Sequence, residues 1–126
     1  MLREKLKSYK IILASRSPRR QQMLRELNID FELVAREYDE SYPLSLSGEQ
    51  IALLLARKKA DVFRNDLSDN EIVITADTIV WCKGQVLGKP ENKNEAFRMI
   101  RLLSGNTHEV ITGVSIISIK KEIVFY

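Results

Sequence analysis

Residues Ile11 to Arg20, Ile-Ile-Leu-Ala-Ser-Arg-Ser-Pro-Arg-Arg, join an apolar run to the start of a helical pattern. The run reads as a buried strand. Ser17 suits an N-cap, and Pro18 suits the first helical position, where its missing N–H costs nothing. A helix N-terminus carrying the hydroxyls of Ser15 and Ser17 and the guanidinium groups of Arg16, Arg19 and Arg20 is suited to hold an anion, a phosphate above all. The plain alternative is an ordinary cap followed by surface arginines. Arg20 lies three and four residues before Met23 and Leu24, so it extends the apolar stripe of its helix instead of the solvent face.

Asp77 interrupts an apolar run, and a carboxylate there must be paired, metal-bound or hydrogen-bonded to backbone, unless it is simply a turn residue at a strand end. Lys59 stands four residues after Leu55 and four before Phe63, inside the stripe of Ile51, Leu55 and Val62. From there it either snorkels outward or reaches into a cleft, and Lys58 lies near the other border. Lys89 sits on the stiff turn Gly88-Lys89-Pro90, and Glu32 in a short strand is either a metal carboxylate or a solvent-facing residue. His108 is the one histidine, which argues against a Ser/His/Asp hydrolase, and Cys82 has no adjacent catalytic base in sequence. Neither a Gly-x-x-x-x-Gly-Lys loop nor a Gly-x-Gly-x-x-Gly fingerprint occurs.

The elements that must position these groups alternate. Strand patterns cover Lys10 to Ala14 and Phe31 to Val34. A helix is expected from Pro18 to about Leu27, with Met23, Leu24 and Leu27 as its core-facing stripe and Asn28 as its stop. Arg36 to Leu46 is a polar loop, Ser47 to about Arg64 the longest helix, and Asn65 to Asn70 a turn. Ile72 to Ala76 is a strand ending at Asp77, with Thr78 to Trp81 still extended. Lys83-Gly84 turns a hairpin into Gln85 to Leu87. Asn94 to Leu103 is a helix closed by Ser104-Gly105, Thr107 to Ile119 a long strand, and Glu122 to Tyr126 the beginning of another. Such alternation predicts an α/β fold: a mixed twisted sheet flanked by helices, with a ligand cleft at strand C-terminal ends.

Length and composition limit what else the chain could be. Its 126 residues suffice for one domain, and its net charge is only +3 with no basic block, which disfavours nucleic-acid binding. A single cysteine fits a reducing cytoplasm, the first residues lack a signal peptide's apolar core, and no stretch approaches a membrane span.

Together, Leu13 to Arg20, Phe31-Glu32, Ala56-Arg57-Lys58-Lys59-Ala60, Ala76-Asp77-Thr78-Ile79-Val80, Gly88-Lys89-Pro90, Leu103-Ser104-Gly105 and Thr107-His108 resemble the Maf-like proteins, in order and spacing. The resemblance implies a Maf/inosine-triphosphatase-like fold. It also implies a nucleoside triphosphate pyrophosphatase that cleaves between the α- and β-phosphates with Mg²⁺ or Mn²⁺ and keeps surplus or non-standard nucleotides from polymerases. Carried over by position, Ser15, Ser17, Arg19, Arg20, Lys59 and Lys89 would engage the substrate. Asp77 and Glu32 would hold metal and water, with Asp77 as general base and Lys89 assisting catalysis. Arg19 after the proline and Thr78 after the aspartate resemble the branch acting on dTTP and UTP; the branch acting on 7-methyl-GTP tends to have tryptophan and glutamine there. The family is normally longer, so 1–126 reads as a single domain truncated in its last strand, with a homodimer as a way to cover the exposed edge. A second reading is a nucleotide-binding or cell-division-linked interaction module without turnover, because the family's name comes from an effect on septum formation.

Overall fold

The computed structural model describes residues 6–88 and 91–126. Elements follow the order β1 (Lys10–Leu13), α1 (Pro18–Glu26), β2 (Glu32–Leu33), α2 (Gly48–Asp61), a 3₁₀ turn (Arg64–Asp66), β3 (Glu71–Cys82), β4 (Gln85–Leu87), α3 (Lys93–Leu103), β5 (His108–Ile117) and β6 (Glu122–Phe125). They form the expected mixed sheet, ordered β2-β1-β3-β5-β6 with β4 also on β3. β1 runs parallel to β2 and β3, whereas β3–β4, β3–β5 and β5–β6 are antiparallel.

Local sequence explains where the helices start. Ser17 Oγ accepts from Arg20 N at 3.4 Å and Pro18 opens α1. Ser47 and Gln50 form a reciprocal capping box for α2, with bonds of 3.3 and 2.9 Å. Asn92 caps α3 by accepting from Glu95 N at 2.8 Å. Asn28 adopts φ 58° where α1 stops, and Lys83 and Gly84, at φ 50° and 74°, make the expected β3–β4 hairpin turn.

α2 supplies most of the core. Its Ile51, Ala52, Leu55, Ala56 and Ala60 are buried against Val73, Ile79, Ile111 and Ile117 of the sheet. Helix and sheet approach so closely because Gly113 lies beneath; a Cβ there would stand 2.2 Å from Ala52 O. Thr75 is also fully buried under α2 and donates to Ala56 O at 2.6 Å.

Four expectations need correction. Met23 and Leu27 are each 58% exposed and α1 buries no residue, so its apolar stripe does not face a core. The strand that follows it, β2, is two residues long and exposed, which leaves little apolar surface within reach. Asp77 does not end a strand: β5 pairs with β3 from Val73↔Ile117 to Cys82↔His108, so one ladder carries the aspartate through. α2 ends at Asp61, and the chain tightens into the 3₁₀ turn before Asp66. β5 spans His108–Ile117, shorter at both ends than its β-branched run.

Candidate functional site

The partners of β3 leave a gap that makes the site. β1 pairs with it over Glu71–Ile74, and the last rung continues as Ala14 N donating to Ile74 O at 3.0 Å. β4 takes the same edge only from Val80 to Cys82. Between them the next carbonyl on that edge, Ala76 O, has no strand partner. A partly buried carbonyl must be satisfied, and here two cations do it. Arg20 Nη1 donates from the first turn of α1 at 3.1 Å, and Lys59 Nζ donates from α2 at 2.8 Å.

Alternation along β3 sorts the neighbours. Val73, Thr75, Asp77 and Ile79 face α2, which brings Asp77 Oδ1 within 3.2 Å of Lys59 Nζ. Both side chains are mostly withdrawn from water, at 19% and 17% exposure. Thr78 faces the other way, where Arg20 Nη2 donates to its Oγ1 at 2.7 Å. Lys59 therefore reaches inward and does not snorkel. Arg20 leaves its stripe for the sheet, as its position among Met23 and Leu24 suggested, although those residues themselves are not core.

Around these groups lies a cavity of about 980 Å³. Ser15, Arg16, Ser17 and Arg20 line it from the β1–α1 turn, Lys59 and Phe63 from α2 and its end, Asp77 and Thr78 from β3. Ser15 Oγ accepts from Ser17 N at 3.1 Å, which folds the turn back on itself. The opposite wall is the segment Ala35 to Glu40, which the sequence marked only as a polar loop. Tyr38 places its ring 5.4 Å from Lys59 Nζ. Burial, then the charges of Asp77 and Glu40, push the Tyr38 hydroxyl up to about 12. Asp39 is held down at about 2 by hydrogen bonds from Ser41 and then from Lys58, which also donates to Ser41 O at 2.5 Å. Arg36 lies over the Phe63 ring at 4.5 Å and donates to Val62 O and Asp66. Nothing in the periodicity of 35–46 pointed to this wall; the one available signal was its density of carboxylates next to Tyr38.

The proposed site residues are not all brought together. Ser15, Ser17, Arg20, Lys59 and Asp77 share the cavity. Arg16, named with Arg19 and Arg20 at the helix start, lines it too. Arg19 is exposed and outside that lining. Glu32 points to Lys10, 2.8 Å away, and does not line the cavity. Lys89 lies outside the described residues. Among the described residues there is no group of three or more His, Cys, Asp or Glu side chains arranged to hold a metal. Asp77 nevertheless offers hard carboxylate oxygens at the cavity wall, the donor type that a hard divalent cation takes alongside phosphates and waters.

The fold of this mixed sheet is shared with solved structures. The Staphylococcus aureus Ham1 protein superposes with a TM-score of 0.60 at 15% identity, covering 92% of this chain and 67% of that one. A nucleoside-triphosphatase / dITP/XTP pyrophosphatase from Mycobacterium abscessus superposes at 0.50 with 19% identity, covering 92% and 69%. By sequence the assignment is narrower: the Maf-like protein family model matches residues 10–125, and the chain belongs to that family. It is similar to the dTTP/UTP pyrophosphatase of Flavobacterium johnsoniae, 53% identical over 114 residues, and to that of Parabacteroides distasonis, 50% identical over 123. These matches cover 90% and 97% of this chain but 59% and 64% of the relatives, so the chain spans about three fifths of their length.

Proposed function

We propose that this chain carries the phosphate-binding and catalytic wall of a nucleoside triphosphate pyrophosphatase acting on dTTP or UTP. The observation that supports it most is the convergence of Arg20 and Lys59 on Ala76 O beside Asp77. Hydrolysis of a phosphoanhydride asks the protein chiefly to position phosphates and neutralise developing charge. Arg20 keeps further N–H groups beyond those given to Ala76 and Thr78, and these suit the phosphate oxygens. Lys59 is a mobile point charge next to the same gap. Ser15 and Ser17 supply hydroxyls and a helix N-terminus for the rest of the chain of phosphates. Asp77 is the proposed general base, orienting a water in line with the α-phosphorus, and pyrophosphate is the leaving group.

A divalent metal, Mg²⁺ or Mn²⁺, belongs to the proposal. Asp77 would hold it together with substrate oxygens, and it would supply charge neutralisation at the phosphates. Glu32 enters this set only by releasing Lys10; Arg19 and Lys89 complete the proposed phosphate ligands. No helix among the described residues is long and apolar enough to cross a membrane. The cytoplasm, where the nucleotide pool lies, is the proposed location.

The test is release of pyrophosphate from dTTP and UTP with magnesium, compared with the purine nucleotides. Release from the two pyrimidine nucleotides supports the reading, and no release from any nucleotide removes the catalytic part. Because the chain spans about three fifths of its relatives, a second reading is a nucleotide-binding module without turnover. Binding of dTTP or UTP with no pyrophosphate produced would favour it.

A further inference from the structure

The phosphate-facing arginine is held by more than its own helix. Arg20 Nη2 donates to Thr78 Oγ1 at 2.7 Å, and Thr78 Oγ1 lies 2.9 Å from Oγ1 of Thr112. Thr112 is on β5, directly across the ladder from Thr78. A guanidinium has only donors. Thr78 therefore accepts from Arg20. Its oxygen keeps a second lone pair as well as its own hydrogen, so toward Thr112 either hydroxyl can donate. We propose that Thr112 is a positioning residue for Arg20: by orienting the Thr78 hydroxyl it fixes the plane of the guanidinium at the cavity wall. Ala76 O holds one nitrogen of that group and Thr78 the other. With the side-chain stem as a third support, two anchored nitrogens fix the plane, whereas one leaves the group free to swing. Thr112 is absent from the cavity lining and meets it at Thr78.

The inference rests on the phosphate role given to Arg20 above, and its test separates the two. Inorganic triphosphate is the probe, with affinity measured by calorimetry, alongside the side-chain Nε–H resonance of Arg20 in the free protein. Thr112 is exposed, and Thr112→Val keeps the β-branched shape, so the strand is retained. Thr112→Val should weaken triphosphate binding about three- to tenfold, the worth of one lost hydrogen bond. Thr112→Ser should bind as the unaltered chain does. In an Arg20→Ala background Thr112→Val should change nothing further, since the two act as one unit. The Arg20 Nε–H resonance should shift toward its mobile, averaged position in Thr112→Val and stay in place in Thr112→Ser. If Thr112→Val weakens binding equally with and without Arg20, its role is structural and the proposal is overturned. An unchanged affinity and an unchanged Arg20 resonance also overturn it. If Arg20→Ala binds triphosphate normally, the phosphate role of Arg20 is the part that fails, and the resonance alone then decides on Thr112.

Discussion

At the scale of single residues, Lys59 and Asp77 depend on each other. Their 3.2 Å contact is mostly withdrawn from water, so removing one partner leaves the other under-solvated. Lys59→Met should lower stability by about 1–3 kcal/mol in chemical denaturation. Asp77→Asn keeps the shape and removes the base. If Asp77 is the general base, pyrophosphate release should fall at least about a hundredfold with the fold intact by circular dichroism. Asp39 gives a pH prediction. Its carboxyl is held at about 2 against an ordinary 3.8, chiefly by Ser41. A depressed carboxylate stabilises the fold above its unfolded value and loses that contribution as pH falls through the folded one. The Asp39–Ser41–Lys58 contacts should therefore persist at pH 5 and be lost between about pH 4 and pH 2, as followed by the Ser41 amide resonance. Arg20 and Lys59 were legible in sequence because a cation inside an apolar stripe is a conflict that needs an explanation. Tyr38 was not, since it lies in a stretch without period. Glu32 shows the converse: its type and motif marked it, yet the Lys10 beside it takes its carboxylate.

The elements were easier to read than their pairing. Caps, turns and apolar runs are local, and Ser17, Ser47, Asn28 and Lys83-Gly84 all stand where their chemistry placed them. The continuity of β3 through Asp77 is not local. It comes from β5, whose pairs run from Val73↔Ile117 to Cys82↔His108, distant in sequence, and no short window of the sequence holds both. The exposure of α1 escaped for the same reason, because a stripe says which side is apolar but not what stands opposite. The β5 strand also carries two opposed stability predictions. Gly113→Ala should cost about 1–3 kcal/mol or more, since a Cβ meets the Ala52 backbone and not a flexible side chain. Ser115, fully buried with a hydroxyl that lacks a partner among the described residues, should tolerate Ser115→Ala with equal or higher stability, by up to about 1 kcal/mol. Thermal melts of the two variants check both.

Over the whole molecule, the two faces of the sheet are treated unequally. α2 covers one face, and the buried residues concentrate there. On the other, α3 packs Met99, Leu102 and Leu103 against Cys82 and Leu87 at one end, while Val110, Ile123 and Phe125 remain 64%, 54% and 46% exposed. Exposed apolar side chains on one sheet face bind apolar dyes and promote association. Ile123→Lys combined with Phe125→Lys should lower dye fluorescence and concentration-dependent sedimentation while leaving the α2 side untouched. Composition gave no hint of this asymmetry, because a sequence counts apolar residues without saying which of them find a neighbour.

One rung of the sheet ties these scales together. Gly113 is the register partner of Asp77, and it is also where α2 comes down onto the strands. The spacing that lets the helix settle is thus the spacing that sets how far Lys59 stands from its carboxylate. Pushing the helix outward at that point would stretch an ion pair as surely as it would loosen a core. A search for hardier variants of this protein would meet a fixed gauge there: bulk added at position 113 would be read at position 77 as a lost charge contact.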